Sequence, residues 1–196
     1  MKNLEVKSLT TKLLQEPELE EYHETFLYSV LARLMAGNKL TFRQNRFIFQ
    51  IENYYSEHEK QQRKKWITLF QDLRQDFLVV ARYYRDSGYY THPSRMALDD
   101  ETFIPTQKLY DNMCRNKYAR RVIEEHHKEP KFSVSDKVYT IKSYLDKGLL
   151  RRGGFVLKAN AGPITSACKG AKKYLVLPIG NPHALIFEER WLKRRK

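Results

Sequence analysis

Apolar residues recur at steps of three and four through the first two-thirds of the chain and at steps of two in the last third. The first helical stripe is Leu19, Tyr22, Phe26, Val30 and Leu34, widened by Leu27 and Leu31. Pro17 suits its first helical position and Gly37 its stop. Thr41, followed three residues later by Gln44, has the form of a capping box, and Phe47, Ile48, Ile51, Tyr54 and Tyr55 give the next helix one apolar face. Ser56 and Glu59 repeat that signature ahead of the longest stripe, Trp66, Phe70, Leu73, Phe77, Val80 and Tyr84, which Gly88 closes. A helix of roughly 28 residues there would be about 42 Å long at 1.5 Å per residue. Residues 88–105 read as turns, on His92-Pro93-Ser94 and Asp99-Asp100. Thr106 then caps a last helix through Leu109, Tyr110, Met113, Tyr118, Val122 and Ile123, which Asn116 interrupts and Pro130 ends.

Beyond Pro130 the short apolar runs become β-branched and aromatic: Lys137–Ile141, Phe155–Leu157, Tyr174–Leu177 and Ala184–Phe187. Gly or Pro separates most of them. Strands this short and this close predict a small curled sheet that manages its edges by closing into a barrel. The expected fold is therefore α+β. A helical scaffold domain of about four or five helices over residues 1–130 would pack on a β-barrel over residues 131–196.

Ser135-Asp136-Lys137-Val138 resembles the Gly-Asp-x-Val opening of many SH3-like barrels, among them KOW-type domains of transcription elongation factors and ribosomal proteins. Gly154-Phe155-Val156 is similar to their Gly-x-Val second strand, and Tyr174-Leu175-Val176 and Phe187–Leu192 fit the later strands. The likeness covers residues 132–193 and implies an SH3-like barrel in that region. It departs at Ser135, where the family has Gly, and at residues 144–153, longer than a compact KOW loop. For the helices, the Leu-Thr-x-x-Gln start and Asn116-Lys117-Tyr118-Ala119 resemble uncharacterised bacteriophage proteins.

Charge adds a partner to this picture. Residues Phe132 to Lys196 hold 14 Lys and Arg against 4 Asp and Glu, a net of +10. Set against whole-chain totals of 36 and 23, this leaves only +3 for residues 1–131. Clustered cations attract polyanions, so nucleic acid, RNA or DNA, is the expected partner. The same charges suit an acidic protein within a larger nucleoprotein assembly, or a surface that only keeps the chain soluble. The cations form three clusters: Arg151, Arg152 and Lys158; Lys169, Lys172 and Lys173; Lys193, Arg194, Arg195 and Lys196. On barrel loops the first two could reach phosphates without reading bases. Of the Tyr pairs, Tyr54 and Tyr84 belong to apolar stripes and suit the core, whereas Tyr83 and Tyr89 are candidates for base stacking.

No motif names a reaction. Glu20 with His23, and Glu124 with His127, have the Glu-x-x-His spacing of helical metal sites, but the lone carboxylates that such sites need are not identifiable. Ser166, Cys168 and His183 carry no mark of activation, and no phosphate loop is present. No enzyme activity, metal or cofactor is expected. Two isolated thiols, Cys114 and Cys168, and the lack of an apolar run of membrane-spanning length predict a soluble, unexported protein. Its expected place is the cytoplasm, or a host cell's cytoplasm if the chain is viral. The alternative function is an adaptor that docks on a polymerase, ribosome or viral assembly.

Overall fold

The computed structural model describes residues 3–141 and 152–194, and within them the chain divides into two compact units, 1–68 and 69–196. The division falls inside the long fourth helix rather than where helices give way to strands. Among the described residues there are seven helices and one five-stranded antiparallel sheet, so the class is α+β.

The first unit contains α1 (Asn3–Leu13), α2 (Glu21–Met35), α3 (Phe42–Tyr54) and the start of α4 (Glu57–Tyr84). Its core joins Val6 and Leu13, Leu27 and Val30, Ile48 and Ile51, and Tyr55. The capping box forms in full: Gln44 N–H donates to Thr41 Oγ1 at 3.2 Å and Thr41 N–H to Gln44 Oε1 at 2.9 Å. Lys60 and Glu16 make a 2.6 Å ion pair, and the buried Tyr55 hydroxyl accepts from Glu20 N–H at 3.0 Å. Helix α1 was not expected, because only Val6, Leu9 and Leu13 mark its inner face. Helix α2 begins at Glu21, with Pro17 left in the preceding turn.

The second unit holds the rest of α4, α5 (Thr91–Asp99), α6 (Gln107–Cys114), α7 (Lys117–His127) and the sheet. Helix α4 has 28 residues, the length its stripe predicts. Helix α5 replaces the expected turns. Pro93 sits at its third position, where the backbone N–H has no partner inside the helix, so the missing donor costs little. Asn116 ends one helix and starts the next: its Oδ1 accepts from the N–H groups of Tyr118 and Ala119, both at 3.0 Å. Phe70, Phe77 and Tyr110 form a buried ring cluster between α4 and α6, Phe70 standing edge-on to the other two.

The strands are β1 (Lys137–Thr140), β2 (Gly154–Lys158), β3 (Lys173–Pro178), β4 (Leu185–Glu188) and β5 (Leu192–Lys193), in the spatial order β4-β3-β2-β1-β5. Val138 pairs with Gly154, Val156 with Val176, and Tyr174 with Phe187, so one face of the pleat carries the core of Val138, Val156, Tyr174, Val176, Phe187, Leu192 and the incoming Phe132. Among the described residues β4 and β5 do not pair, and the sheet is open there rather than closed. The last strand has two residues, too few to run along β1 and also reach β4.

Ser135 has φ +72°, in the left-handed region, and its N–H donates to Val156 O at 2.8 Å. The position needs a backbone conformation that Gly adopts freely and Ser does not, about 1–2 kcal/mol of strain set against the roughly 0.5–1 kcal/mol of added unfolded-state entropy that Gly brings. Ser135→Gly should therefore raise stability by about 0.5–1 kcal/mol in urea unfolding. A loss of stability would show that the Ser side chain contributes more than its strain.

Candidate cationic site

The connection between β2 and β3 is long, and the site depends on how it is held. Ile164 and Ala171 from this segment are buried with Val79 of α4 and Val122 of α7, and Tyr83 and Ala167 pack at the side. Two buried charges then fasten it to the end of α7. Glu125, 4% exposed, accepts the Gly170 N–H at 3.0 Å and pairs with Lys128 at 3.0 Å. Lys172, 2% exposed, donates from Nζ to the carbonyls of His126 and Lys128. Those carbonyls belong to the last turn of α7, which carries partial negative charge and lacks helical partners, so an ammonium there is doubly favoured. The same residues are tied to the 3-10 turn Glu189–Trp191 that joins β4 to β5. Arg190 N–H donates to Gly170 O at 2.9 Å and Glu189 N–H to Lys172 O at 2.8 Å. Gly170 has φ +73°, and a Cβ on it would lie 3.0 Å from Arg190 N and Cβ, so a side chain at this crossing would be both strained and crowded.

Above this joint is a cleft of about 270 Å³. Arg82 comes to it from α4, His126 from α7, Lys172 from the end of the β2–β3 connection and Lys173 from the start of β3. Val79, Pro163 and Ile164 make an apolar wall, and Asn160 and Gly162 complete the lining. Among the described residues no carboxylate lines the cleft, and neither Arg82 nor Lys173 makes an ion pair. Burial holds the His126 imidazole below its ordinary pKa, and the neighbouring His127, Lys172 and Arg82 push it the same way against the pull of Asp76. Three fixed cations and an imidazole thus share one concave surface, where field lines concentrate. A second cleft of about 460 Å³ has Arg121, Lys128 and Lys169 balanced by Glu124 and Glu125, beside the exposed Cys168. Net charge makes the first the candidate anion site.

Of the residues expected to meet nucleic acid, Arg152, Lys158 and Lys169 are exposed, Lys173 is half-buried, and Lys172 is turned inward to hold the fold. Lys193 is exposed on β5. Arg194 is exposed, but its guanidinium sits 2.6 Å from Asp136, whose carboxyl it holds below its ordinary pKa. Arg151, Arg195 and Lys196 lie outside the described residues. Tyr83 is half-buried with its ring 4.8 Å from that of Tyr84, whereas Tyr89 is 72% exposed. No motif in the sequence marks Arg82 or His126 as a binding residue; their convergence is a product of tertiary packing.

Elsewhere the chemistry-bearing residues have structural partners. His23 Nδ1 meets the Tyr55 hydroxyl at 3.0 Å, and His127 Nε2 meets Asp76 at 2.6 Å. Burial pushes the Cys114 thiol up to about 12. Among the described residues no three of His, Cys, Asp and Glu gather at metal-binding distance, and no helix is long and apolar enough to cross a membrane. Compared with protein-family models, curated proteins and solved structures, the chain has no significant match.

Because the folded state disfavours the protonated imidazole, the unfolded chain binds more protons at His126, and stability must fall as pH drops through the unfolded pKa of about 6.5. The difference in unfolding free energy between the wild type and His126→Gln should be constant above about pH 7.5 and should shift against the wild type between about pH 7 and 5. A shift in favour of the wild type over that range would mean that Asp76 governs the imidazole instead.

Proposed function

We propose that the protein is a non-enzymatic, nucleic-acid-associated accessory protein that holds the phosphate backbone of RNA or DNA on the basic surface of its second unit. The observation that carries this reading is the cleft in which Arg82, His126, Lys172 and Lys173 meet with no carboxylate among the described lining residues. Arg152, Lys158 and Lys169 are further exposed cations of the second unit, and the net +10 of the last 65 residues supplies the long-range attraction. A four-strand meander with its fifth strand returned beside the first, and a left-handed backbone where SH3-like barrels carry Gly, support an SH3-like barrel as the module that bears these charges. The free thiols Cys114 and Cys168 support a reducing compartment, the cytoplasm of the source or of a host cell.

A second reading, an adaptor within a larger assembly, is favoured by one feature. Phe155, Leu157 and Ile186 are exposed on the outer side of the sheet, and the pairings of Phe155 with Leu177 and of Leu175 with Ile186 make the apolar face continuous. A complex isolated intact after nuclease treatment would favour this reading over direct nucleic-acid binding.

Arg82, Arg152, Lys158, Lys169 and Lys173 together could neutralise about four or five phosphates, giving a slope of log affinity against log salt of roughly −4 for duplex DNA and a shallower one for single strands. Arg82→Glu combined with Lys173→Glu should weaken binding to all sequences alike and flatten that slope by about 2, since phosphate contacts do not read bases. Unchanged affinity and slope in a double variant with wild-type circular dichroism would exclude the cleft as the binding site.

A further inference from the structure

Resting on the nucleic-acid reading, we propose that the cleft is an end-recognition pocket, taking the terminal phosphate monoester of a strand rather than a phosphodiester within it. Its size favours this. At about 270 Å³ the cleft is smaller than the usual ~300–1,000 Å³ of small-molecule sites, a size that suits a single phosphate-bearing terminal group.

The donor inventory points the same way. A phosphodiester offers one charge and two free oxygens. A terminal monoester offers nearly two charges at neutral pH and three acceptor oxygens. The cleft presents the Arg82 guanidinium, the Lys173 ammonium and the His126 imidazole, backed by Lys172, two of whose three ammonium protons are committed to the carbonyls of His126 and Lys128. That is more positive charge and more donors than one diester can satisfy, and it matches a dianion. The mutual repulsion of these groups is relieved when such an anion is present, and Lys172 and Arg82 are among the groups that, after burial, hold the His126 pKa down. The opposite wall is apolar: Val79, Pro163 and Ile164 give the sugar and base of the terminal nucleotide a surface to lie on once the phosphate is held.

Binding of fluorescently tagged twelve-nucleotide oligothymidylate and oligouridylate tests the assignment. Each is prepared with a 5′-phosphate, a 3′-phosphate or hydroxyls at both ends, and the tag is placed internally. One phosphorylated end should bind about tenfold more tightly than the hydroxyl form, the factor expected of added hydrogen bonds to a charged group. The arm that gains identifies which end is read. In Arg82→Gln and in Lys173→Gln the ratio between phosphorylated and hydroxyl strands should fall to within about twofold. On the wild-type protein alone, thymidine 5′-monophosphate should displace the phosphorylated strand at concentrations where dimethyl phosphate does not, so the result does not depend on the variants folding. Equal affinity for all three ends overturns the end-recognition assignment while leaving the nucleic-acid reading in place. No binding of any strand at low salt overturns both.

Discussion

The second unit turns on two buried charges of opposite sign at the end of α7. A carboxylate or ammonium removed from water is tolerated only where hydrogen bonds replace its hydration. Glu125 meets that condition with the Gly170 N–H and Lys128, and Lys172 with two carbonyls that the helix leaves without partners. Breaking either arrangement strands a buried charge, so the β2–β3 connection is fixed to the helix by more than its apolar contacts. Gly170 then makes the joint geometrically demanding, because a side chain there would be crowded by Arg190 and strained by the positive φ.

The cleft follows from that joint. With residues 170–172 pinned, Ile164 is seated on Val79 and Val122, and Pro163 and Gly162 form a wall facing α4 and α7. Lys172 commits two of its ammonium protons to structure and lines the cleft beside Arg82, Lys173 and His126. One residue type thus takes two places at neighbouring positions: Lys172 secures the fold and Lys173, half-buried and unpaired with any described carboxylate, lines the cleft. In the proposed reading the uncompensated positive field is what favours phosphate, and after burial it adds to the lowering of the His126 pKa.

Local signals in the sequence marked the elements that carry their own instructions. Thr41 with Gln44, Thr106 and Asn116 start helices by satisfying orphan N–H groups, and α4 declares itself through six apolar positions in period. The four longer strands were legible from their β-branched runs. Helix α5 was hidden because Pro93 reads as a breaker unless its place in the first turn is known, and α1 because its inner face is narrow. The site was half legible. Charge density pointed to Lys169, Lys172 and Lys173, but nothing in a linear pattern tells that Lys172 turns inward, or that Arg82 and His126, 44 positions apart, meet across it. Those facts belong to packing between distant elements.

The central claim is that the joint at α7 builds the surface that nucleic acid occupies. Amide chemical-shift mapping of the labelled protein during titration with a twelve-nucleotide strand tests it most directly. The account predicts shifts concentrated at Arg82, His126, Asn160, Gly162, Ile164 and Lys173, with Phe155, Leu157 and Ile186 on the outer sheet face left in place. Shifts confined to that outer face, with the residues of the cleft unmoved, would contradict it.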